Sequence, residues 1–386
     1  MSRVLFVTNG HGEIAIADRI AAELRVVAPE ISLEHVALVG DVKTRNATDV
    51  GPRRRMPSGG LVAMGNVSNI ARDLRGGLAR LTVEQIRFLR SARSRYDAVV
   101  ATGDVFALWM ALQTKAPVVY VGTAKSVAVA PYGPGERWQL RNARAVFVRD
   151  DATAEDLRRR GVPATAPGNV IADLLGGDAR ALDDARRGFE VVVSLLPGSR
   201  ERAYGDALAL VNALALVARD RPTLGGVLSI APGVDAARMA AELGGAYAVA
   251  GTSIECVPFE ARVGDRAIVR AWSGDLGPLL AASAIVFGQA GTANEAAAAA
   301  GRPVVAIAEG SPSEGGWYRK RQARLLGDAL VVAPPDPGAA AKILGELVDD
   351  ASERERRGAI GRERMGAPGG ARRIATEIAR IAGGGE

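Results

Sequence analysis

Two glycine-containing stretches in the second half of the chain carry residue types suited to phosphate chemistry. The first, Leu196-Pro197-Gly198-Ser199-Arg200, ends the apolar run Val191–Leu196. A glycine directly after a buried strand lets the backbone approach a ligand closely, and Ser199 and Arg200 supply donors for phosphate oxygens. The second, about ninety residues on, is Gly288-Gln289-Ala290-Gly291-Thr292, which leads into an alanine-rich helical stretch starting near Ala293. A helix N-terminus presents unbonded N–H groups, so a glycine ahead of it makes an anion site. Glu295, one turn in, offers a carboxylate able to accept from both hydroxyls of a ribose. Each loop alone is also an ordinary strand–helix turn. Together on one sheet they predict a nucleoside-diphosphate site.

A third stretch competes. Gly10-His11-Gly12-Glu13-Ile14-Ala15 follows the first apolar run and matches G-x-G-x-x-A, the dinucleotide fingerprint. Glu34, at the start of the next apolar run, sits about where a ribose-binding acid should be. A lone fingerprint is a weak signal, and the better phosphate constellation lies in the other half. The match therefore reflects shared strand–turn–helix geometry, and no NAD and no other cofactor is expected.

The residue inventory removes other chemistries. Only two histidines, His11 and His35, are present, which argues against a Ser-His-Asp triad and a multi-histidine metal centre. The single cysteine, Cys256, cannot form an internal disulfide or a cysteine metal cluster, and it fits a reducing compartment. No Asp-x-Asp triplet occurs, so no carboxylate-held metal is expected for binding a diphosphate. No apolar run approaches ~18 residues, and no basic segment leads into an apolar one at the N-terminus, so the expected location is cytoplasmic with no membrane span.

At 386 residues the chain exceeds what one core usually holds. Apolar, β-rich runs alternate with helical patterns in both halves: Val4–Thr8, His35–Gly40, Ala98–Thr102, Val118–Gly122 and Ala145–Arg149, then Val191–Leu196, Gly226–Ala231, Ala267–Ala271, Ala284–Gly288, Pro303–Ile307 and Ala329–Val332. This predicts an α/β protein with two Rossmann-like, doubly wound parallel sheets. The expected domains are 1–175 and 189–366, joined by a polar linker at 176–188 and followed by a C-terminal helix and tail at 367–386. Two such domains would face each other across a cleft.

The charge is uneven. Residues 1–175 hold 24 Lys/Arg against 17 Asp/Glu, whereas the remainder is nearly balanced. Much of the excess lies in 53–95, with Arg53-Arg54-Arg55 and the stretch Asn69–Tyr96, where Ile70, Leu74, Leu78, Leu81 and Leu89 follow a helical period interrupted at Gly76-Gly77. Two readings stand: a solvated basic face, or an element for an anionic membrane surface, which would make the protein peripheral to the inner face of the plasma membrane. Nucleic acid is not expected, because no aromatics interleave with the basic residues.

The runs "LLPGSR" and "GTANEA…GRPVV" resemble lipid-A-disaccharide synthase and, more loosely, other two-Rossmann-domain (GT-B) glycosyltransferases. The closer resemblance is to lipid-A-disaccharide-synthase-related proteins, through "DLRGGLARLTVEQ", "ATGDVFALWMA", "VGTAKS", "GERWQLRNARAVFVRDDATAEDLRRRGV" and "APGNVIADLL", covering most of 1–330. It implies metal-independent transfer of a sugar from a nucleotide donor, UDP-linked, onto a lipid or other hydrophobic acceptor. Asp104 in "ATGDVFA" matches the aspartate the family uses as base; a helix N-cap is its other reading. Glu13 competes as base, and Gly10, His11, Gly12 and Lys125 fall on the acceptor side, with Ser126 beside Lys125. On the donor side Gly198, Ser199, Arg200, Gly291, Thr292 and Glu295 would hold the nucleotide. Gln322, and less so Arg319, would meet the sugar hydroxyls, and Trp272 would either stack on the base or pack in the core. A UDP-sugar epimerase of the same fold, and a non-enzymatic nucleotide- or lipid-binding protein, remain alternatives.

Overall fold

The apolar runs become parallel strands in both halves of the computed structural model, which describes residues 2–40, 42–54, 73–123, 125–243, 247–248, 260–263, 266–308 and 317–384. Two compact units result, residues 1–173 with 367–386 and residues 174–366.

The first unit is built on β1 (Arg3–Thr8), β2 (Ser32–Ala37), β3 (Thr48–Asp49), β4 (Ala98–Gly103), β5 (Val118–Gly122), β6 (Ala145–Val148) and β7 (Ala164–Thr165). They form one all-parallel sheet in the order β3-β2-β1-β4-β5-β6-β7. Val4, Leu5 and Val7, and Ala98 to Ala101, are wholly buried, as expected of parallel strands covered on both faces by helices.

The second unit holds β8 (Val191–Leu196), β9 (Leu224–Ser229), β10 (Tyr247–Ala248), β11 (Glu260–Val263), β12 (Arg266–Trp272), β13 (Ile285–Gly288), β14 (Val304–Ile307) and β15 (Leu330–Ala333). Their order is β10-β11-β12-β9-β8-β13-β14-β15, with β12 through β15 parallel and β10 and β11 added antiparallel at one edge. The short strands β3, β7, β10 and β11 carry too few apolar residues to be read from sequence. The strand expected to begin at Gly226 begins at Leu224 and runs through Gly225-Gly226. Both glycines are needed there: a Cβ on Gly225 would lie 2.3 Å from the Phe189 ring, and one on Gly226 would lie 2.5 Å from Leu214 Cδ2.

Residues 176–188, expected as a polar linker, bury Leu182 and Ala185 in the second unit, and the turn Ala179–Leu182 packs on the helix Leu276–Ala282. The last helix, Gly370–Ala382, belongs to the first unit. Ile374, Ile378 and Ile381 line its buried face, worth about 1.5–3 kcal/mol each, and pack it on the helix His11–Val27. Asp173 caps it, accepting from the amides of Gly369 (2.5 Å) and Ala371 (2.7 Å).

In the Arg-rich stretch, the helix Leu78–Ser91 starts after Gly77, whose φ of +92° breaks it from the short helical turn at 73–75. Leu81 and Leu89 are buried and Leu78 half-buried, but Leu74 is exposed with Arg75, Arg80 and Arg87. Arg55, Ile70 and Cys256 lie outside the described residues. No helix among the described residues is long and apolar enough to cross a membrane.

Candidate functional site

In each sheet the chain winds outward in both directions from a central pair of strands, β1 and β4 in the first unit, β8 and β13 in the second. Ligands of open α/β sheets bind beyond the carboxyl ends of such a pair.

In the second unit this point gathers both glycine loops. The amides of Gln289 and Ala290 donate to the Leu196 carbonyl at 2.9 and 3.1 Å, fastening the second loop to the end of β8. Gly198 takes φ +106°, a conformation glycine adopts freely, and a Cβ there would sit 3.9 Å from Ala290 Cα. Gly291 caps the helix Thr292–Ala299, and the amides of Gly291, Thr292 and Ala293 make no hydrogen bond among the described residues. Three unbonded N–H groups at a helix N-terminus, faced by a glycine turn, make a cradle whose dipoles suit an anion. Ser199 and Glu295 are half-buried and Arg200 is exposed around it.

Behind the cradle is a buried polar cluster. Gln322 donates from Nε2 to the carbonyls of Ala290 (3.3 Å) and Gly291 (3.2 Å). Arg319 donates to Gln322 Oε1 (2.6 Å) and to Gln289 Oε1 (2.8 Å). Gln289 also exchanges hydrogen bonds with the backbone of Ile307, at the end of β14. Gln322, expected against sugar hydroxyls, thus spends its amide on the loop's own carbonyls. Trp272 is wholly buried, its indole N–H donating to the Asp275 carbonyl at 3.0 Å, which is the core-packing alternative.

In the first unit Asn9, Glu13 and Asp104 meet. Asp104 Oδ1 accepts from the amides of Phe106 (3.0 Å) and Ala107 (3.1 Å), capping the helix Val105–Ala111, and Oδ2 accepts from Asn9 Nδ2 (3.0 Å). Glu13, half-buried in the first turn of its helix, lies across Gly103: a Cβ on Gly103 would come within 2.8 Å of Glu13 Cγ, and φ there is +124°. Gly103 is therefore required twice over. Gly10 caps this helix, and an added Cβ would lie 2.9 Å from Glu13 Oε2. Gly12 is half-buried in the first turn, and His11 opens the helix. Lys125 is paired with Glu136 at 2.6 Å, over the Tyr132 ring, and Ser126 is buried.

Because Asp104 is an N-cap, Asp104→Ala is expected to lower stability by about 1–2 kcal/mol, and Asp104→Asn by much less, since asparagine caps equally well. Equal thermal unfolding of both variants and the parent would remove the cap assignment.

No family model matches the sequence, and no curated protein matches it. Solved structures do. The chain is similar to UDP-GlcNAc 2-epimerase from Neisseria meningitidis bound to UDP-GlcNAc (TM-score 0.56, 13% identity, 98% of this chain and 99% of that one). It is similar to CalG4, the calicheamicin glycosyltransferase (TM-score 0.58, 17%, 99% and 98%). MurG from Acinetobacter baumannii matches at TM-score 0.54 and 14% identity over 98% and 100%. The fold is that of the GT-B enzymes. These neighbours are enzymes, transferases and epimerases alike.

Within this GT-B fold, sequence reasoning missed the residues that shape the first switch point. Tyr120 on β5 donates its hydroxyl to the Gly103 carbonyl (3.0 Å) and lies 3.3 Å from the Tyr132 hydroxyl. Burial pushes the Tyr120 phenol well above its usual range and that of Tyr132 up to about 12, so both remain protonated. Gly122 makes room for them, since a Cβ there would lie 2.4 Å from Tyr132 Oη. The glycine ahead of Asp104 was the one available signal.

Glu34 is placed where a ribose acid cannot act. It lies in the first half of β2, opposite Leu5, bonded to Arg3, Arg95 and Tyr96. Those partners flank the starts of β1 and β4, the end of the sheet away from the switch point. The dinucleotide fingerprint therefore lacks its acid.

Proposed function

We propose that this chain is a glycosyltransferase that moves a sugar from a UDP-linked donor to a lipid or other hydrophobic acceptor without a metal. The observation that carries the reading is the cradle at β8 and β13, where three unbonded amides open a helix beside the loop that holds Arg200. Fixed N–H dipoles and a guanidinium stabilise the charge that develops on the departing diphosphate. Glu295 takes the ribose hydroxyls. Gln322 and Arg319 hold the cradle's backbone, so the dipoles need not reorganise when the bond breaks. In the first unit Glu13 removes the proton of the acceptor hydroxyl, with Asp104 fixing the adjacent turn and Gly10, His11, Gly12 and Lys125 on the acceptor side. The resemblance to lipid-A-disaccharide-synthase-related proteins supports a lipid acceptor.

Epimerisation of a UDP-sugar is the second reading, favoured by the similarity to UDP-GlcNAc 2-epimerases. The two differ in product: free UDP with a transferred sugar, or an isomerised UDP-sugar.

Titration calorimetry with UDP tests the donor site for both. Arg200→Ala and Glu295→Ala should each weaken binding about tenfold or more, as for loss of one hydrogen bond to a charged group. No binding by the parent chain, or equal binding by all three proteins, removes the donor site.

A further inference from the structure

Away from both switch points, the first unit carries a groove of about 460 Å³ whose lining includes Arg90, Arg93, Trp109, Gln113, Lys115 and Trp138. It opens at the end of the sheet opposite the switch point, since Arg93 precedes β4 and Lys115 precedes β5. Two features set it apart from ordinary surface. Trp138 is 67% exposed and Trp109 37%, and Trp109 stacks on the exposed Phe106 with ring centroids 5.9 Å apart. Three cations share the lining with no carboxylate, and none of them forms an ion pair among the described residues. Arg90 and Arg93 are steadied by neutral acceptors instead, Gln113 Oε1 at 3.1 Å and the Gln113 carbonyl at 3.4 Å. Lys115 stands at φ +62°, a left-handed position glycine fills at lower cost. Val83, 46% exposed, continues the face along the helix from Arg90.

We infer that this groove docks the protein on an anionic phospholipid surface. Headgroup phosphates sit against Arg90, Arg93 and Lys115, and the two indoles rest at the level of the glycerol backbone. Indoles favour that depth because one edge is apolar and the ring N–H is wet. Juxtamembrane cations add about 1 kcal/mol each near an anionic leaflet, a fivefold change in binding per charge. Base stacking needs open ring faces, and Trp109 already stacks on Phe106, which leaves Trp138 alone for a nucleic acid. Docking at this end of the sheet leaves the β1–β4 switch point uncovered. The inference does not depend on the proposed reaction.

Flotation of the full chain with phosphatidylcholine vesicles, with and without phosphatidylglycerol, tests it. The expected result is binding only with phosphatidylglycerol, weakened by salt, with a blue shift of tryptophan emission that Trp138→Phe reduces. Arg90→Gln with Arg93→Gln should weaken binding by about 25-fold. Lys115→Gly should weaken it about fivefold while removing backbone strain, so its loss of binding cannot come from unfolding. Arg180→Gln, an exposed arginine on the second unit, is the control and should bind as the parent does. The inference is overturned by equal binding to phosphatidylcholine alone, or by unchanged binding in Lys115→Gly and the double variant. It is also overturned if glycerol phosphate or tRNA, at matched ionic strength, quenches the same indoles while vesicles do not.

Discussion

Glu13→Gln is expected to lower kcat by about 10²–10⁴-fold, the usual contribution of a positioned general base, with UDP affinity and melting temperature unchanged. Two carboxylates share the β1–β4 switch point, and the oxygens of Asp104 hold structure. Asp104 accepts three hydrogen bonds, two from the helix it caps and one from Asn9. Moving to a substrate hydroxyl would break bonds that fix the turn. Glu13 rests its aliphatic stem on Gly103 and carries its carboxyl group back toward Gly10. Glutamine keeps the length and the packing on Gly103, so lost turnover reports lost proton acceptance, not a lost fold. Asp104→Asn keeps the cap and is expected to cost far less turnover. Product formation from a UDP-sugar, read beside calorimetry with UDP, separates the two residues. Full turnover in Glu13→Gln removes it as base, and collapse of turnover in Asp104→Asn alone transfers the role.

The contrast between these carboxylates shows where sequence stops being informative. Strands such as Val118–Gly122 and Val191–Leu196 were legible to the residue because parallel strands buried on both faces are continuous apolar runs. The two glycine loops of the second unit were legible as strand–helix turns because glycine after a strand and before a helix has a local backbone reason. Asp104 had two local readings, and the bond from Asn9, 95 residues away, could not be weighed against them. Gly103, Tyr120 and Tyr132 matter through approaches between separate strands and loops, which no spacing encodes. Gln322 was expected against sugar hydroxyls from its loop alone, but the direction of its amide depends on the carbonyls of Ala290 and Gly291. Likewise Ile374, Ile378 and Ile381 announced an amphipathic helix without saying which unit it would cover.

Glu34→Gln is expected to destabilise the protein by about 2 kcal/mol near neutral pH and to leave UDP binding untouched. That cost is below the ~3–5 kcal/mol of breaking a fully buried pair, because Arg3 and Arg95 are 40% and 41% exposed and can turn to water. Burial alone would raise the Glu34 pKa. Hydrogen bonds from Tyr96 and Arg95, with the charges of Arg95 and Arg3, outweigh it and hold the group below its usual range. A carboxyl whose folded pKa lies below its unfolded value of 4.5 stabilises the fold fully above that value, and the contribution is lost as pH falls through the folded pKa. Parent and Glu34→Gln should therefore differ most above about pH 6 and converge in acid, where the parent side chain is itself protonated. Urea unfolding at several pH values checks both magnitude and slope. A gap that widens in acid would reverse the sign and refute the cluster's role as a stabilising anion site. A fall in NAD or UDP affinity in Glu34→Gln would instead restore Glu34 as a nucleotide ligand, which its place at the far end of β2 forbids.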